Sequence, residues 1–144
     1  MSRVRSKDTK PELIVRSSLH KMGYRFRVYV KYLPGNPDVV LPKYRAVIFI
    51  HGCFWHGHGD CKGGEIPKTR SLFWKDKICE NISRDKEAYT QLNLSGWRIA
   101  IIWECALKNK SVTFYTFKKL DEWIHSGLDN LEIPITNQGQ EITF

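Results

Sequence analysis

Two unbroken apolar runs, Ala46–Ile50 and Ile99–Trp103, most constrain what this chain can fold into. A strand that is apolar on both faces belongs in the middle of a sheet covered on both sides. At five residues each, the runs fall far short of the ~20 needed to span a membrane. Between them, from Phe73 to Gly96, Ile78, Ile82, Tyr89 and Leu92 recur at helical spacing. Trp97–Trp103 is therefore a buried strand that follows a crossover helix.

The remaining segments add to this frame. Thr9-Lys10-Pro11-Glu12 is a capping box with an early proline, and Val15, Leu19 and Met22 continue one helical face until Gly23. Tyr24–Val30 alternates basic and apolar residues and predicts a strand. Leu33-Pro34-Gly35-Asn36-Pro37 predicts a turn, Asp38–Leu41 a second strand, and Pro42–Arg45 the turn of a hairpin into Ala46–Ile50. A last helix is expected over about 112–126, followed by a polar tail, 127–144, with no assigned structure. The expectation is one α/β domain over 1–144, a mixed central sheet flanked by helices, with a basic N-terminal arm over 1–8.

Charge narrows the partners. Lys and Arg number 23 against 15 Asp and Glu, a net charge of +8, which points to a polyanion such as nucleic acid. The basic N-terminus has no apolar stretch behind it, so it does not read as a signal peptide. In that setting Cys53, Cys61, Cys79 and Cys105 read as thiols or metal ligands rather than disulfides.

The segment His51–Cys61 carries the chemistry. Cys53, His58 and Cys61 are spaced C-x4-H-x2-C in a glycine-rich loop, a donor set suited to tetrahedral zinc. Cys105, just past a buried strand, is the candidate fourth ligand, whereas Cys79, beside core residue Ile78, is explained by packing. Four protein ligands leave no open position, so this zinc would be structural. His51 and His56 then remain over. Asp38 has two readings: a turn residue at a strand start, or a magnesium ligand next to the hairpin end that carries His51. A carboxylate, an imidazole and basic surroundings suit phosphodiester hydrolysis.

Five strings in this order, M-S-R-V-R-S-K-D-T-K-P-E, L-P-G-N-P-D, V-I-F-I-H-G-C-F-W-H, F-W-K-D-K-I-C-E-N-I-S-R-D and G-W-R-I-A-I-I-W-E-C, resemble the very-short-patch-repair (Vsr) DNA mismatch endonucleases of bacteria. The resemblance covers residues 1 to about 108. It implies a restriction-endonuclease-like fold, a variant of the PD-(D/E)xK core with a zinc-stabilised loop. Pro37-Asp38 matches the first half of that motif, and Phe49-Ile50-His51 stands where the acid and lysine would be, as in the Vsr branch.

The resemblance also implies roles. Asp38 and the main-chain carbonyl of Ile50 would bind catalytic Mg²⁺, with His56 as general base, His51 supporting the scissile phosphate, and Glu12 at the metal's water shell. Cys53, His58, Cys61 and Cys105 match the zinc ligands. Phe54, Trp55 and Trp74 would wedge into the base stack; Lys77, Asn81 and Asp85 would read base edges; Arg3, Arg5 and Lys7 would grip the backbone or minor groove. The implied activity is nicking of double-stranded DNA 5′ to the mispaired T of a T·G mismatch, by a monomeric bacterial enzyme of the cytoplasm and nucleoid. A cytosine-5 DNA methyltransferase would be its functional associate and a MutL-type protein a candidate partner. Two other readings stay open: a related restriction-type nuclease with another DNA target, and a non-catalytic zinc-containing DNA-binding module.

Overall fold

A computed structural model describes residues 9–54, 56, 58 and 67–134. Helix α1 (Lys10–Lys21) is followed by strands β1 (Val39–Leu41) and β2 (Ala46–His51), helix α2 (Ser71–Leu94), strand β3 (Arg98–Trp103), helix α3 (Lys110–Ser126) and strand β4 (Asn130–Ile133). The four strands form one sheet in the order β1-β2-β3-β4. β1 and β2 are an antiparallel hairpin; β2–β3 and β3–β4 are parallel. The mixed α/β sheet, the hairpin and the crossover by α2 follow the sequence reading.

The two sides of the sheet bury different sets of side chains, as strand alternation requires. Ala46, Ile48, Ala100 and Ile102 pack under α1 and α3 with Val15, Leu19, Leu120, Trp123 and Ile124. Val47, Phe49, Ile99, Ile101 and Trp103 pack under α2 with Tyr89 and Leu92. His51 continues the second set, two residues beyond Phe49, so its ring lies on the α2 side. Leu92, Ile99, Ile102 and Leu120 have no exposed surface; each such side chain contributes roughly 1.5–3 kcal/mol relative to exposure.

The structure corrects three expectations. Tyr24–Val30 is not a strand; it makes one isolated bridge, Arg27 to Val40. Phe26 packs on the α1/α3 side and Val30 on the α2 side. A strand would put both on one face, and the chain rolls over between them, with Tyr29 at φ 59°. The stretch read as a polar tail contains β4, whose Asn130–Ile133 pair with Ile99–Ile102; residues 135–144 lie outside the described residues. Four residues with a buried glutamate carry no periodicity to read. Cys79 is exposed rather than packed, because α2 buries the stripe of Ile78, Ala88, Tyr89 and Leu92 and Cys79 points away from it.

Arg98 links β3 to the last helix. Its guanidinium donates to the carbonyls of Trp123 (2.5 Å), Ile124 (3.2 Å) and Leu128 (2.8 Å) at the end of α3. The Trp123 carbonyl also accepts from the Ser126 hydroxyl at 2.8 Å. Carbonyls in the last turn of a helix lack main-chain partners, so the arginine both caps α3 and aims the chain back toward β4.

Candidate active site

The site lies at the edge where β2 ends. Asp38 precedes β1; its N–H donates to the Ile48 carbonyl at 3.0 Å, and its Oδ2 accepts from the Ile50 N–H at 2.7 Å. In a strand the N–H and C=O of one residue face the same edge, so the Ile50 carbonyl is directed to the side that Asp38 occupies. Gly35 makes the preceding turn possible: at φ +77°, a Cβ there would stand 2.8 Å from the Ala88 Cβ and 3.2 Å from the Phe49 ring.

The first turn of α1 brings Glu12 to the same place. The predicted capping box forms, with Thr9 N–H and Oγ1 donating to Glu12 Oε2 at 3.1 and 2.7 Å. Glu12 is buried, and Arg16 stands 3.4 Å from Oε1. Burial pushes the Asp38 carboxyl up to about 7, the Ile50 N–H opposes this, and the neighbouring Glu12 carboxylate reinforces it. A buried carboxylate, a half-buried one and a main-chain carbonyl are hard oxygen donors, the set magnesium takes. The residues present fit that ion.

Across a cavity of about 440 Å³ from Glu12 and Asp38 stand two histidines. The His51 and His56 rings stack with centroids 3.8 Å apart and an interplanar angle of 18°. His56 Nδ1 is 2.6 Å from Asp85 Oδ2, so Asp85 joins the histidines rather than standing apart on a solvent-facing stripe with Lys77 and Asn81. His51 is buried, with Nε2 hydrogen-bonded to the Tyr89 hydroxyl. Burial, and then the His56 ring beside it, hold His51 well below the usual imidazole range. It is neutral near pH 7.

A second cluster adjoins the first. Cys53 Sγ, a His58 nitrogen and Cys105 Sγ all lie within 4.8 Å of one another, and Cys105 Sγ is 3.6 Å from His58 Nδ1. Sulfur at about 2.3 Å and nitrogen at about 2.0–2.1 Å from one tetrahedral zinc stand roughly 3.6 Å apart. The donor set and this spacing fit the ion. Cys61 lies outside the described residues. The His58 ring stacks on Trp103, centroids 4.3 Å apart at 9°, and Trp103 also lies 5.3 Å from His51. The Trp103 indole N–H donates to Glu132 on β4 at 2.5 Å.

Phe54 and Trp74 meet edge to face at 5.2 Å, both half-buried, beside exposed Phe73 and Leu72. Lys77 is exposed and Asn81 half-buried on the same helix; Asn81 Oδ1 accepts from Arg84 at 2.8 Å. Arg3, Arg5, Lys7 and Trp55 lie outside the described residues. Sequence reasoning assigned no site role to Tyr89, Trp103 or Glu132. The first two match the apolar pattern of their elements, and the only signal was a tyrosine four residues after Asp85 on the helix.

Paired carboxylates facing stacked imidazoles, one imidazole held by its own carboxylate, are groups chemically able to hold a cation and transfer a proton in hydrolysis. Comparison with known proteins gives the family. A family model described as "DNA mismatch endonuclease Vsr" matches residues 1–62. The type II nicking enzyme V.XorIIP of Xanthomonas oryzae pv. oryzae is 52% identical over 109 residues, 76% of this chain and 79% of that protein. The type II nicking enzyme V.NmeAIP of Neisseria meningitidis is 47% identical over 112 residues, 78% and 79% of the two chains. DNA mismatch endonuclease Vsr of Escherichia coli K12 is 43% identical over 126 residues, 86% and 80%. The chain belongs to the Vsr family of DNA mismatch endonucleases.

Proposed function

We propose that this member of the Vsr family is a Mg²⁺-dependent, zinc-stabilised endonuclease that nicks one strand of duplex DNA 5′ to the mispaired T of a T·G mismatch. The observation that carries the reading is the convergence of Asp38, Glu12, His51 and the His56–Asp85 pair on one cavity. The sheet is then a variant of the PD-(D/E)xK core, with Pro37-Asp38 on one arm of the hairpin and Phe49-Ile50-His51 on the other.

Asp38 and the Ile50 carbonyl would hold Mg²⁺, which when bound supplies Lewis-acid stabilisation of the phosphate charge. Asp85 accepts from His56 Nδ1–H and leaves Nε2 as the base that takes the proton of the attacking water. His51, neutral and fixed against His56, hydrogen-bonds the scissile phosphate. Glu12 would orient water on the side of the cavity where Asp38 stands. Phe54, Trp55 and Trp74 replace lost base stacking at the opened mismatch, Lys77 and Asn81 meet base edges or backbone, and Arg3, Arg5 and Lys7 grip the phosphates. Asp85, engaged by His56 through Oδ2, acts on the base in addition to the DNA-edge role the resemblance gives it. Cys53, His58 and Cys105, with Cys61 as fourth ligand, would hold a structural zinc that ties the loop to the sheet.

The enzyme acts as a monomer in the cytoplasm, on chromosomal DNA, beside a cytosine-5 methyltransferase whose deaminated product is its substrate; a MutL-type protein is a candidate partner. Among the described residues no helix is long and apolar enough to cross a membrane. The test is nicking of end-labelled duplexes, T·G against matched and with varied flanks, with Mg²⁺ and with chelator. Mg²⁺-dependent cleavage 5′ to the mispaired T supports the reading. Equal cleavage of matched DNA would favour a restriction-type target, and tight mismatch binding without cleavage a non-catalytic module.

A further inference from the structure

We infer that Tyr89 is a positioning residue that fixes the tautomer of His51: its hydroxyl donates to His51 Nε2, so the imidazole proton sits on Nδ1 and serves as the hydrogen-bond donor toward the scissile phosphate. The inference rests on the endonuclease reading for the role of His51, but not for the tautomer.

The geometry is specific. Tyr89 lies on α2 one turn after Asp85, is 5% exposed, and packs its ring edge to face on Phe49 at 5.3 Å. Its hydroxyl meets His51 Nε2, while Asp85 Oδ2 stands 3.9 Å from the same nitrogen and 2.6 Å from His56 Nδ1. Asp85 is thus committed to His56, and the short contact of His51 is with the phenol. The short contact of the phenol with Nε2, which stands 3.9 Å from Asp85 Oδ2, has two arrangements. The phenol is the stronger acid and the bare imidazole nitrogen the stronger base, so O–H donating to Nε2 is favoured over N–H donating to the phenol oxygen. The hydrogen bond at one ring nitrogen sets the protonation of the other. The two stacked histidines are then complementary: Asp85 draws a proton to His56 Nδ1 and frees Nε2 as a base, and Tyr89 occupies His51 Nε2 and leaves Nδ1–H as a donor. The active site divides the roles of base and donor between chemically identical rings by their partners on one helix.

The test is ¹⁵N-edited NMR of the imidazole nitrogens in the zinc-loaded, magnesium-free wild type and Tyr89→Phe, with single-turnover nicking of T·G duplex. In the wild type His51 should show a protonated, pyrrole-type Nδ1 and a pyridine-type Nε2. Tyr89→Phe keeps the ring against Phe49 but frees Nε2. His51 should move to a mixture with Nε2–H, and the single-turnover rate at saturating enzyme should fall about tenfold, the scale of one hydrogen bond, with the half-saturating concentration for DNA within twofold. A wild-type spectrum with Nε2 protonated would overturn the proposal without any variant. So would Tyr89→Phe with an unaltered His51 spectrum, even if its activity fell. A wild type that does not nick T·G duplex would sink the functional reading while the spectrum still decided the tautomer.

Discussion

At the scale of the residue, the site assigns different work to side chains of the same kind. Asp38 faces Ile50 and the cation side, whereas Asp85 faces His56. Asp38→Ala should reduce nicking by at least 100-fold, the lower range of a lost metal-ligand or acid–base contribution. T·G binding measured in calcium should stay within about threefold. Nicking near the wild-type rate would return Asp38 to the role of a turn residue. Asp85→Asn should also slow nicking about 100-fold, because the amide no longer favours a proton on His56 Nδ1. The check is the same single-turnover assay, and an unchanged rate would remove Asp85 from the base. At Gly35 the contribution is room. Gly35→Ala places a methyl 2.8 Å from the Ala88 Cβ at a φ of +77°, and should cost roughly 1–3 kcal/mol of stability. Denaturant unfolding measures this, and a cost under about 0.5 kcal/mol would show that the turn relaxes.

At the scale of the element, α2 has two halves with different employment. Its C-terminal half buries Ala88, Tyr89 and Leu92, whereas before Asp85 only Ile78 is buried. The N-terminal half therefore carries Trp74, Phe73 and Lys77 with little core to disturb. Trp74→Ala should weaken T·G binding by roughly 1–3 kcal/mol, the scale of one stacked base. Matched duplex, held mostly by phosphate charge, should lose less. Paired affinity measurements with a melting temperature check this. Equal loss on both duplexes together with lowered stability would make Trp74 a core residue. At the other end of the fold, Arg98 holds three carbonyls in and just after the last turn of α3. Arg98→Leu should destabilise by roughly 1.5–3 kcal/mol, as for hydrogen bonds to a charged group. A stability within error of wild type would mean that water replaces the guanidinium.

For the whole molecule, the soft-donor cluster and the histidine cluster share one wall. Trp103 stacks on His58, lies 5.3 Å from His51, and is tied by Glu132 to β4. Loss of a metal bound by Cys53, His58 and Cys105 would thus release both a loop and one face of the stacked histidine rings. The protein should contain about one zinc per chain, and Cys105→Ser should lower metal content, melting temperature and nicking together, because binding at a structural site is folding free energy. Elemental analysis and thermal unfolding measure this. A metal-free protein that melts at the normal temperature would show that the cluster is only packing.

The features legible in the amino-acid order are local or pairwise along the chain. The capping box at Thr9 and Glu12, the hairpin of β1 and β2, the apolar strands and the helix between them follow from periodicity and turn chemistry. They depend on neighbours a few residues away. The loop donors Cys53 and His58 were legible from spacing, and Asp38 and His51 from lying at the two ends of one hairpin. Which distant groups meet them depends on how the elements pack. Asp85 reaches His56 and Tyr89 reaches His51 because α2 crosses the sheet in one register, and a tyrosine on an apolar stripe gives no sign of its hydroxyl's partner. Tyr24–Val30 alternates like a strand, yet the chain rolls over to fill both cores. β4 forms because β3 leaves an open edge and Arg98 steers the chain to it. Its four residues, one a buried glutamate, hold their conformation through β3 rather than through any pattern of their own.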